Sequence, residues 1–392
     1  MTIRHEQHEV FHTGSSTCGT RAVMLVATVN SGSTSVKLAA YELADQRAPG
    51  RIARESHSVE KLAERELLER FLEQLPRKPD VVAHRVVHGG TRFSRPVRID
   101  ASVLAEIAHL SELAPLHNPP ALRWIGAAGD LCGPATVQVA AFDTAFFAEL
   151  PRVASEYAIA PRLAVEHGVR RYGFHGLAHE AMLRRWQESH PGSPLGGRLI
   201  TLQLGGGCSI TAIAAGRPVD TSMGFSPLEG LVMATRSGDI DPAVVPYLQR
   251  RLARSGDEIV ELLNREAGLR GLSEGSADLS ALLSTGDSRA EFALDLYCYR
   301  ARKYIGAYLA VLGGCDGIVF GGGVGEHVPA VRARILDGMQ WAGIELDARA
   351  NVAAVGREAR IDGPQSRIEI HVIPIDEERM LTAAARSVLA AQ

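Results

Sequence analysis

The sequence predicts an α/β protein whose two domains enclose a cleft. Strand-like apolar segments alternate with helical segments along the chain, which indicates a layered α/β architecture. The chain has 392 residues, and because single hydrophobic cores stop growing well before this length, two domains are expected. A hairpin-like unit also occurs twice, which indicates an internal duplication.

The two hairpin-like units share one plan. The first joins the apolar run 22–29 to the strand 36–41 through the small polar turn 30–35. The second joins 199–204 to 210–214 through a tip that reads Gly-Gly-Gly-Cys-Ser. Further elements predicted from the pattern are the strands 81–87 and 137–141 and the helices 62–75 and 177–186.

A third cluster of small residues follows a short strand near the end of the chain. The strand 317–320 leads into the glycine cluster 321–325, and a helix is predicted over about 328–341. This cluster could be a dinucleotide fingerprint, since Glu345 lies about 20 residues on, where a ribose-binding acid is expected. Too little chain follows to complete a parallel βαβ sheet, so we favour a phosphate-binding turn instead.

Turns of glycine and serine at strand ends indicate phosphate binding. They let the backbone approach a ligand and direct N–H groups towards it without carrying net charge. Any one of the three turns could be an ordinary tight hairpin, but three in one chain favour the functional interpretation. The GxxxxGK[ST] pattern is absent from the sequence, which excludes a P-loop protein.

Charge and composition exclude several classes of partner. The formal net charge is −3, which gives no overall field for nucleic acid or an anionic membrane. The five cysteines are scattered and never form a CxxC pair, which fits a reducing compartment. Since neither a membrane span nor a signal peptide is recognisable, we expect a cytoplasmic protein with a loose tail over 1–21.

A set of charged residues follows the predicted strands, namely Arg85, His117, Asp143, His175 and Arg236. A guanidinium is always charged, and its planar fork matches the oxygens of a carboxylate or a phosphoryl group. Two arginines facing one cleft would therefore suit transfer between those groups. Each member alone could equally be a structural ion pair or a buried core histidine.

The tail contains a zinc-like motif that we set aside. His8, Glu9 and His12 match HExxH, which on a helix places two histidines on one face. The tail location and the lack of a third ligand argue against a zinc peptidase. His175 and His179 are also spaced i, i+4, but no carboxylate or thiol motif completes a metal site there.

Long sequence strings resemble signatures of the acetate kinase family. The match covers nearly everything after the tail, and the most specific string continues from 220 to 242. The strings are 29–37, 84–90, 114–120, 172–176 and 220–230. The resemblance implies the duplicated fold of actin, Hsp70 and the sugar kinases, related to ribonuclease H, with domain I at 22–150 and 375–392. Domain II, at 151–374, would carry most of the phosphate-donor site.

The resemblance also implies a reversible carboxylate kinase that transfers a phosphoryl group between ATP and acetate or a similar short acid. The enzyme would act as a homodimer, with Mg²⁺ or Mn²⁺ held by Asn30 and Glu377. The residues expected to serve catalysis are Arg85, His117, Asp143, His175 and Arg236. Those expected to bind the acid are Arg85, Val87, Leu116, Phe174 and Pro227. Those expected to bind the donor are Lys37, Gln203, Leu204, Gly205, Gly206, Gly207, Asp278, Leu279, Ser280, Gly323, Val324, Gly325, Glu326 and His327.

The donor side departs from the family pattern. Residues 203–207 read Gln-Leu-Gly-Gly-Gly where the family usually has His-Leu-Gly-Asn-Gly. Residues 278–280 lack the arginine that the family places near the adenine, and His327 replaces an asparagine. The donor could therefore be ATP, pyrophosphate or another phosphate compound. A relative without catalytic activity that binds a phosphorylated metabolite is the alternative from a different functional class.

Overall fold

The computed structural model describes residues 23–32, 35–44, 49–58, 63–193 and 195–391. The predicted tail 1–21, with its HExxH segment, lies outside the described residues. Within the described part of the chain, no helix is long and apolar enough to cross a membrane. The four cysteines described there, Cys132, Cys208, Cys298 and Cys315, are buried and free.

Twelve strands are found in the described residues, and they form two sheets of six. The first sheet contains β1 (Met24–Ser31), β2 (Ser35–Leu43), β3 (Gly50–Ser58), β4 (Val81–Val86), β5 (Val97–Arg98) and β6 (Val137–Phe142). The second contains β7 (Arg198–Leu204), β8 (Cys208–Ala214), β9 (Arg217–Thr221), β10 (Gly317–Gly321), β11 (Ala359–Arg360) and β12 (Glu369–Val372).

The two sheets have the same strand plan. Their orders are β3-β2-β1-β4-β6-β5 and β9-β8-β7-β10-β12-β11. Each begins with three antiparallel strands, continues with two strands parallel to the third, and ends with an antiparallel edge strand. This repetition confirms the predicted duplication and the predicted α/β class.

Helices cover both sheets. In the described residues they are α1 (Glu64–Glu73), α2 (Ala101–His109), α3 (Asn118–Cys132), α4 (Arg152–Ser155), α5 (Pro161–Glu166), α6 (Gly176–Ser189), α7 (Val244–Leu252), α8 (Gly256–Arg265), α9 (Gly268–Ser273), α10 (Leu279–Thr285), α11 (Ser288–Leu312), α12 (Gly322–His327), α13 (Pro329–Leu336), α14 (Ala348–Ala353) and α15 (Glu377–Ala390).

The elements predicted from hydrophobic periodicity lie where expected, with one exception. Both hairpins form, as β1–β2 and β7–β8, and the predicted helix 177–186 is the centre of α6. The helix predicted over about 328–341 is shorter than expected, because α13 ends at Leu336, where Gly338 is left-handed with φ 74, and Gln340–Ala342 forms a separate 3-10 turn. Before it, α12 ends at His327 and α13 begins at Pro329. A proline restricts the residue before it, and Val328 has non-helical angles, with φ −119 and ψ 82.

Helices α6 and α15 join the two halves of the molecule. Leu381 and Ala385 of α15 pack on the first sheet, in a cluster that also contains Leu177 of α6. Further along α6, Met182 and Trp186 pack on the second sheet. The last helix of the chain thus belongs to the first core. The domain boundaries given above stay a prediction.

A buried arginine fixes the glycine-rich helix α12. The Arg332 side chain is fully buried, and every acceptor it binds is a carbonyl. Its Nη1 donates to Gly325 O at 2.7 Å, its Nε to Asn351 Oδ1 at 2.8 Å and its Nη2 to Ala354 O at 2.9 Å. Arg332 therefore ties α12 to α13 and α14.

We predict that Arg332→Met lowers the free energy of unfolding by about 3 kcal/mol or more. Each hydrogen bond from a charged donor contributes roughly 1.5–3 kcal/mol, and several buried carbonyls would lose their donor. Arg334→Met is the matched control on the same helix. Arg334 is 33% exposed and pairs with Glu291, so its loss should cost at most about 1 kcal/mol. Equal denaturation midpoints for the two variants would contradict this account.

Candidate active site

A cleft of about 320 Å³ lies where strands of both sheets end. The turn after β1, the ends of β4 and β6, the tip of the β7–β8 hairpin and the residue Gly323 after β10 all reach it. Ligands of α/β proteins commonly bind at the carboxyl ends of strands. The residues that line it are Gly32, Ser35, Lys37, Arg85, Val87, His117, Asp143, Phe174, His175, Gln203, Gly205, Gly206, Gly207, Pro227, Arg236, Gly323 and Glu377.

Arg85 forms the central ion pair of this cleft. It lies near the end of β4, and Asp143 directly follows β6, the neighbouring parallel strand. Arg85 Nη2 is 2.6 Å from Asp143 Oδ2, and Arg85 Nε is 3.1 Å from Oδ1. Burial opposes the charge on Arg85, but the neighbouring carboxylates, first that of Asp143, outweigh this cost and raise the Arg85 pKa. The pair fixes the direction of the guanidinium.

A cluster of oxygen atoms lies beside the ion pair. Asn30, near the end of β1, accepts a hydrogen bond from Arg85 Nη1 at 3.3 Å. Its Nδ2 donates to Glu377 at 2.8 Å and to Glu378 at 3.1 Å. Burial raises the pKa of the Glu377 carboxyl, but Arg85 and Lys37 outweigh this effect and lower it overall. The start of α15 is thereby bound to the end of β1.

The oxygen atoms in this cluster are suitable ligands for a hard cation such as Mg²⁺. Glu378 Oε2 is buried and has no hydrogen-bond partner among the described residues, although Arg54 lies 3.5 Å away. Of the predicted metal residues, Glu377 lines the cleft, and Asn30 lies buried next to Glu377 and is hydrogen-bonded to it, so the two fit the ion. The sequence did not lead us to predict Glu378 as part of this cluster. The only signal for it is that Glu378 follows Glu377 in the first turn of α15.

A chain of hydrogen bonds runs from the cleft into the second sheet. His175 Nδ1 is 2.9 Å from Ser209 Oγ, and the same hydroxyl is 2.8 Å from His179 Nε2. His179 Nδ1 is in turn 2.7 Å from Thr201 Oγ1. The sequence predicts His179 only as a non-metal histidine, and nothing in it indicates that His179 forms the second link behind His175. The chain fixes the orientation of the His175 ring.

Two glycines make room for His175. The residue itself is left-handed, with φ 60, and precedes α6. A Cβ on Gly176 would lie 2.0 Å from the Asp143 carbonyl oxygen, so only glycine allows α6 to begin this close to Asp143. A Cβ on Gly207 would lie 3.2 Å from His175 Nε2. Nε2 therefore faces the glycine turn across the cleft.

Arg236 is buried without a counter-ion. Its Nη1 donates to Pro227 O at 3.2 Å, and no salt bridge of Arg236 is found within the described residues. Burial lowers the pKa of Arg236. His117 lies in the same cleft, and burial, followed by the charges of Arg236 and Arg85, lowers its pKa to about 3. An unpaired guanidinium in a cleft is a site for an anion.

The residues predicted to bind the acid divide into two groups. Val87, Phe174 and Pro227 line the cleft next to Arg85 and Arg236. Leu116 does not line it, because its side chain is 46% exposed and borders an adjoining cavity of about 210 Å³. The role of Leu116 therefore stays a prediction.

The residues predicted to bind the donor also divide. Those that line the cleft are Lys37, Gln203, Gly205, Gly206, Gly207 and Gly323. Leu204 belongs to the core, and Val324 packs against that core. Gln203 Oε1 is buried without a hydrogen-bond partner among the described residues, so it is available to a ligand or to water.

The remaining donor residues have local structural contacts. Asp278 caps α10 by accepting from Ser280 N at 2.8 Å, and Leu279 is buried. Glu326 Oε1 accepts from Gly322 N at 3.0 Å and from Ile375 N at 3.1 Å, so it holds the third glycine turn against the segment before α15. Two more residues that were predicted to bind the donor, Gly325 and His327, do not line the cleft.

Comparisons with known proteins agree with this geometry. The sequence model of the Acetokinase family matches residues 21–383. The chain belongs to this family. The acetate kinase of Solibacter usitatus (strain Ellin6076) is 46% identical over 304 residues, which cover 76% of this chain and 73% of that protein. The predicted family, and with it a phosphotransferase that has a carboxyl group as acceptor, is confirmed.

Solved structures of family members have the same fold. The acetate kinase of Porphyromonas gingivalis is 34% identical, with a TM-score of 0.81 over 93% of this chain and 100% of that chain. A propionate kinase from Francisella tularensis subsp. tularensis SCHU S4 is 33% identical, with a TM-score of 0.82 over 92% of this chain and 98% of that chain. The predicted duplicated fold around a cleft is confirmed.

Buried histidines in and behind the cleft predict a stability that falls in acid. Burial lowers the pKa of each of them in the folded protein, to about 4 for His84 and His88 and to about 3 for His117 and His175, and well below 6.5 for His179. Between the unfolded pKa of 6.5 and these values, the unfolded chain binds more protons than the folded one. The stabilisation that these neutral, buried histidines provide is therefore complete above pH 6.5 and is lost as the pH falls below it.

We predict that the free energy of unfolding falls by several kcal/mol between about pH 7 and about pH 5, since each histidine can contribute up to about 1.4 kcal/mol per pH unit. Urea denaturation at several pH values measures this slope. His84→Gln should reduce it, and the exposed His109→Gln should leave it unchanged. A free energy of unfolding that stays constant over this range would contradict the prediction.

Proposed function

We propose that this protein transfers a phosphoryl group reversibly between ATP and acetate or a similarly short carboxylic acid, forming an acyl phosphate. The family uses ATP as co-substrate and acts on a small carboxylate. The observation that supports the proposal most strongly is the pair of arginines in one cleft. A carboxylate holds Arg85, whereas Arg236 has no carboxylate partner among the residues that the structure describes. Such a pair can bring two anions together.

The acid needs no catalytic base. A carboxyl group with a pKa of roughly 4 to 5 is ionised at neutral pH and is already a nucleophile. What the protein must supply is positive charge, because one anion attacks another, and a fixed position for the attacking oxygen. Arg85 would bind the acid or the transferring group, and Asp143 would keep the guanidinium in place.

His175 would donate a hydrogen bond to the transferring phosphoryl group. Burial, followed by the charge of Arg85, lowers the His175 pKa to about 3, so the ring is neutral. If Ser209 donates its proton to Nδ1, then Nε2 carries the remaining proton and points towards Gly207. His179 would donate to Ser209 and accept from Thr201, which completes the chain of donors.

Divalent metal, Mg²⁺ or Mn²⁺, would neutralise charge on the donor phosphates when bound. Asn30 and Glu377 would hold it, through water molecules because Mg²⁺ dehydrates reluctantly. Lys37 lies in the same wall of the cleft and adds a positive charge for the phosphate chain. Backbone N–H groups of the hairpin tip 205–207 would bind the remaining phosphate oxygens.

The acid pocket is small, which favours short acids. Val87, Phe174 and Pro227 form its apolar wall, and the whole cleft measures about 320 Å³. Because one methylene in an apolar pocket changes the free energy of binding by only about 1 to 3 kcal/mol, acetate and propionate should both react.

Pyrophosphate is the second candidate donor. Glycines and Gln203 form the donor wall, and the residues expected near the adenine, Asp278 and Ser280, do not line the cleft. Phosphate recognition by a glycine turn does not depend on side chains, whereas base recognition does. We therefore expect the protein to use ATP, and to discriminate less between ATP and other phosphoryl donors than a typical relative does.

A homodimer is also part of the proposal. Phe292 and Tyr299 are spaced seven residues apart on α11 and are each 59% exposed. Two turns of helix bring such residues to the same face, where a second copy of the chain could cover them. Cytoplasmic location, expected from composition, likewise stays a prediction.

The test is acyl phosphate formation by the purified protein, trapped with hydroxylamine, with ATP, GTP and pyrophosphate as donors and with acetate, propionate and butyrate as acceptors. We predict product with ATP and acetate. Arg236→Ala should lower turnover by a factor of roughly 1000, because arginines that neutralise transferring charge contribute this much. Arg236→Lys should also be poor, since a point charge lacks the fork.

Arg265→Ala is the matched control. It removes an exposed arginine that borders the adjoining cavity and pairs with Glu261, and turnover should remain close to that of the wild type. If no donor gives product, the result would favour the alternative interpretation, in which this protein binds a phosphorylated metabolite without catalytic activity. Near-wild-type turnover of Arg236→Ala would remove Arg236 from the chemistry.

A further inference from the structure

A cluster of two histidines and one glutamate lies on the second sheet, away from the cleft. His190 directly follows α6, and Glu369 and His371 are on β12, two residues apart and therefore on the same face of the strand. His190 Nε2 is 3.1 Å from Glu369 Oε2, and His371 Nε2 is 2.9 Å from the same oxygen. Each residue offers one ligand atom, and these three atoms lie within 4.8 Å of one another.

The hydrogen bonds of His190 determine which nitrogen faces the cluster as an acceptor. His190 Nδ1 is 2.8 Å from the Trp186 carbonyl oxygen and 3.0 Å from Ser189 Oγ. The carbonyl can only accept, and the Ser189 hydroxyl can donate to the same carbonyl at 2.9 Å, so Nδ1 carries the proton. In the neutral ring, Nε2 then carries no proton and can only accept a hydrogen bond or bind a cation. It faces a carboxylate oxygen, which is also an acceptor. Two acceptors at 3.1 Å repel each other unless a cation or an additional proton lies between them.

We propose that His190, Glu369 and His371 bind a divalent transition-metal ion of the Zn²⁺ type. Two imidazole nitrogens and one carboxylate oxygen are a common set of three protein ligands for this ion, with a fourth position left for water. The bond between His190 Nδ1 and a backbone carbonyl is the second-sphere contact that metal-binding histidines usually make. The hard ion Mg²⁺ prefers oxygen ligands, so this site differs in chemistry from the one in the cleft.

The surroundings leave the cluster able to accept a cation. Arg360 Nη1 binds the other carboxylate oxygen, Glu369 Oε1, at 3.2 Å, and so leaves Oε2 free to coordinate. The charge of Arg360 is itself balanced by Asp362 at 2.8 Å. The His190 side chain is 23% exposed and that of Glu369 31% exposed, so an ion can enter from solvent.

The metal would connect two segments that lead to the cleft. Helix α6 runs back from His190 to His175, and the chain after β12 runs on to Glu377. About 20 Å of helix separates His190 from the catalytic histidine. The ion would therefore stabilise the arrangement of these segments without taking part in the reaction.

The test is Zn²⁺ binding to the full-length protein without an affinity tag, followed by calorimetry and by thermal melting. We expect a single equivalent of Zn²⁺ at this site and a higher melting temperature. His190→Gln should weaken binding by more than the roughly 10- to 100-fold that loss of a second-sphere partner costs. Co²⁺ should give visible absorption bands of a four-coordinate site, and these should disappear in Glu369→Gln.

Two controls separate this site from other histidines. His167→Gln removes an exposed histidine that also lies beside a glutamate, Glu166 at 3.9 Å, and should bind Zn²⁺ like the wild type. The double variant His8→Ala/His12→Ala removes the HExxH motif and should retain the equivalent that His190 holds. The proposal is overturned if Zn²⁺ does not bind, if His190→Gln binds as tightly as the wild type, or if the double variant abolishes all binding.

Discussion

The buried ion pair between Arg85 and Asp143 is the interaction on which the site depends. A buried charge is costly unless it is paired and hydrogen-bonded. Here the pair joins the ends of two neighbouring parallel strands, and Asn30 extends it to a third strand and to α15. Asp143 accepts hydrogen bonds from Nε and Nη2 of Arg85, which fixes the guanidinium at the wall of the cleft. The second arginine of the cleft, Arg236, lacks a carboxylate partner among the described residues, which is why we propose that it binds a substrate anion.

The duplicated fold explains why the cleft has two different walls. Each sheet ends its central parallel strands at the cleft, but the first contributes charged side chains and the second contributes glycine turns. In the proposed function, the charged groups would bind the acid and the transferring group, and the backbone N–H groups would bind the phosphate chain of a donor whatever its base. His175 directly precedes α6, the helix that packs on both sheets, so its position depends on how the two halves fit together.

Local sequence patterns predicted the elements and the strand-end residues well, because hydrophobic periodicity and turn chemistry act over a few residues. They could not predict partners far apart in the chain. Asn30 and Glu377 lie 347 positions apart in the sequence. Only the family resemblance predicted that they belong to one metal site, because no local pattern links residues so far apart. Ser209 was recognised as part of a turn, but its bond to His175 depends on the packing of α6 against β8.

Where the predictions differed from the structure, a local contact explains the difference. The helix predicted over about 328–341 ends early at Leu336, because the left-handed Gly338, with φ 74, follows it. The donor-binding role of Glu326 stays a prediction, and its carboxylate accepts two backbone N–H groups, a contact that a sequence pattern does not reveal. Leu116 belongs to the family string 114–120, yet its side chain borders the adjoining cavity and not the cleft, whereas its neighbour His117 lines both.

The most direct measurement of the central claim is the turnover of Asp143→Asn in acyl phosphate formation. The account predicts a loss of roughly 100-fold or more, since Arg85 would no longer be fixed by a charged, bidentate partner. Asp80→Asn is the control, because it alters an aspartate of the same domain that pairs with Arg77 at 2.7 Å outside the cleft. Turnover of a folded Asp143→Asn protein equal to that of Asp80→Asn would contradict the account.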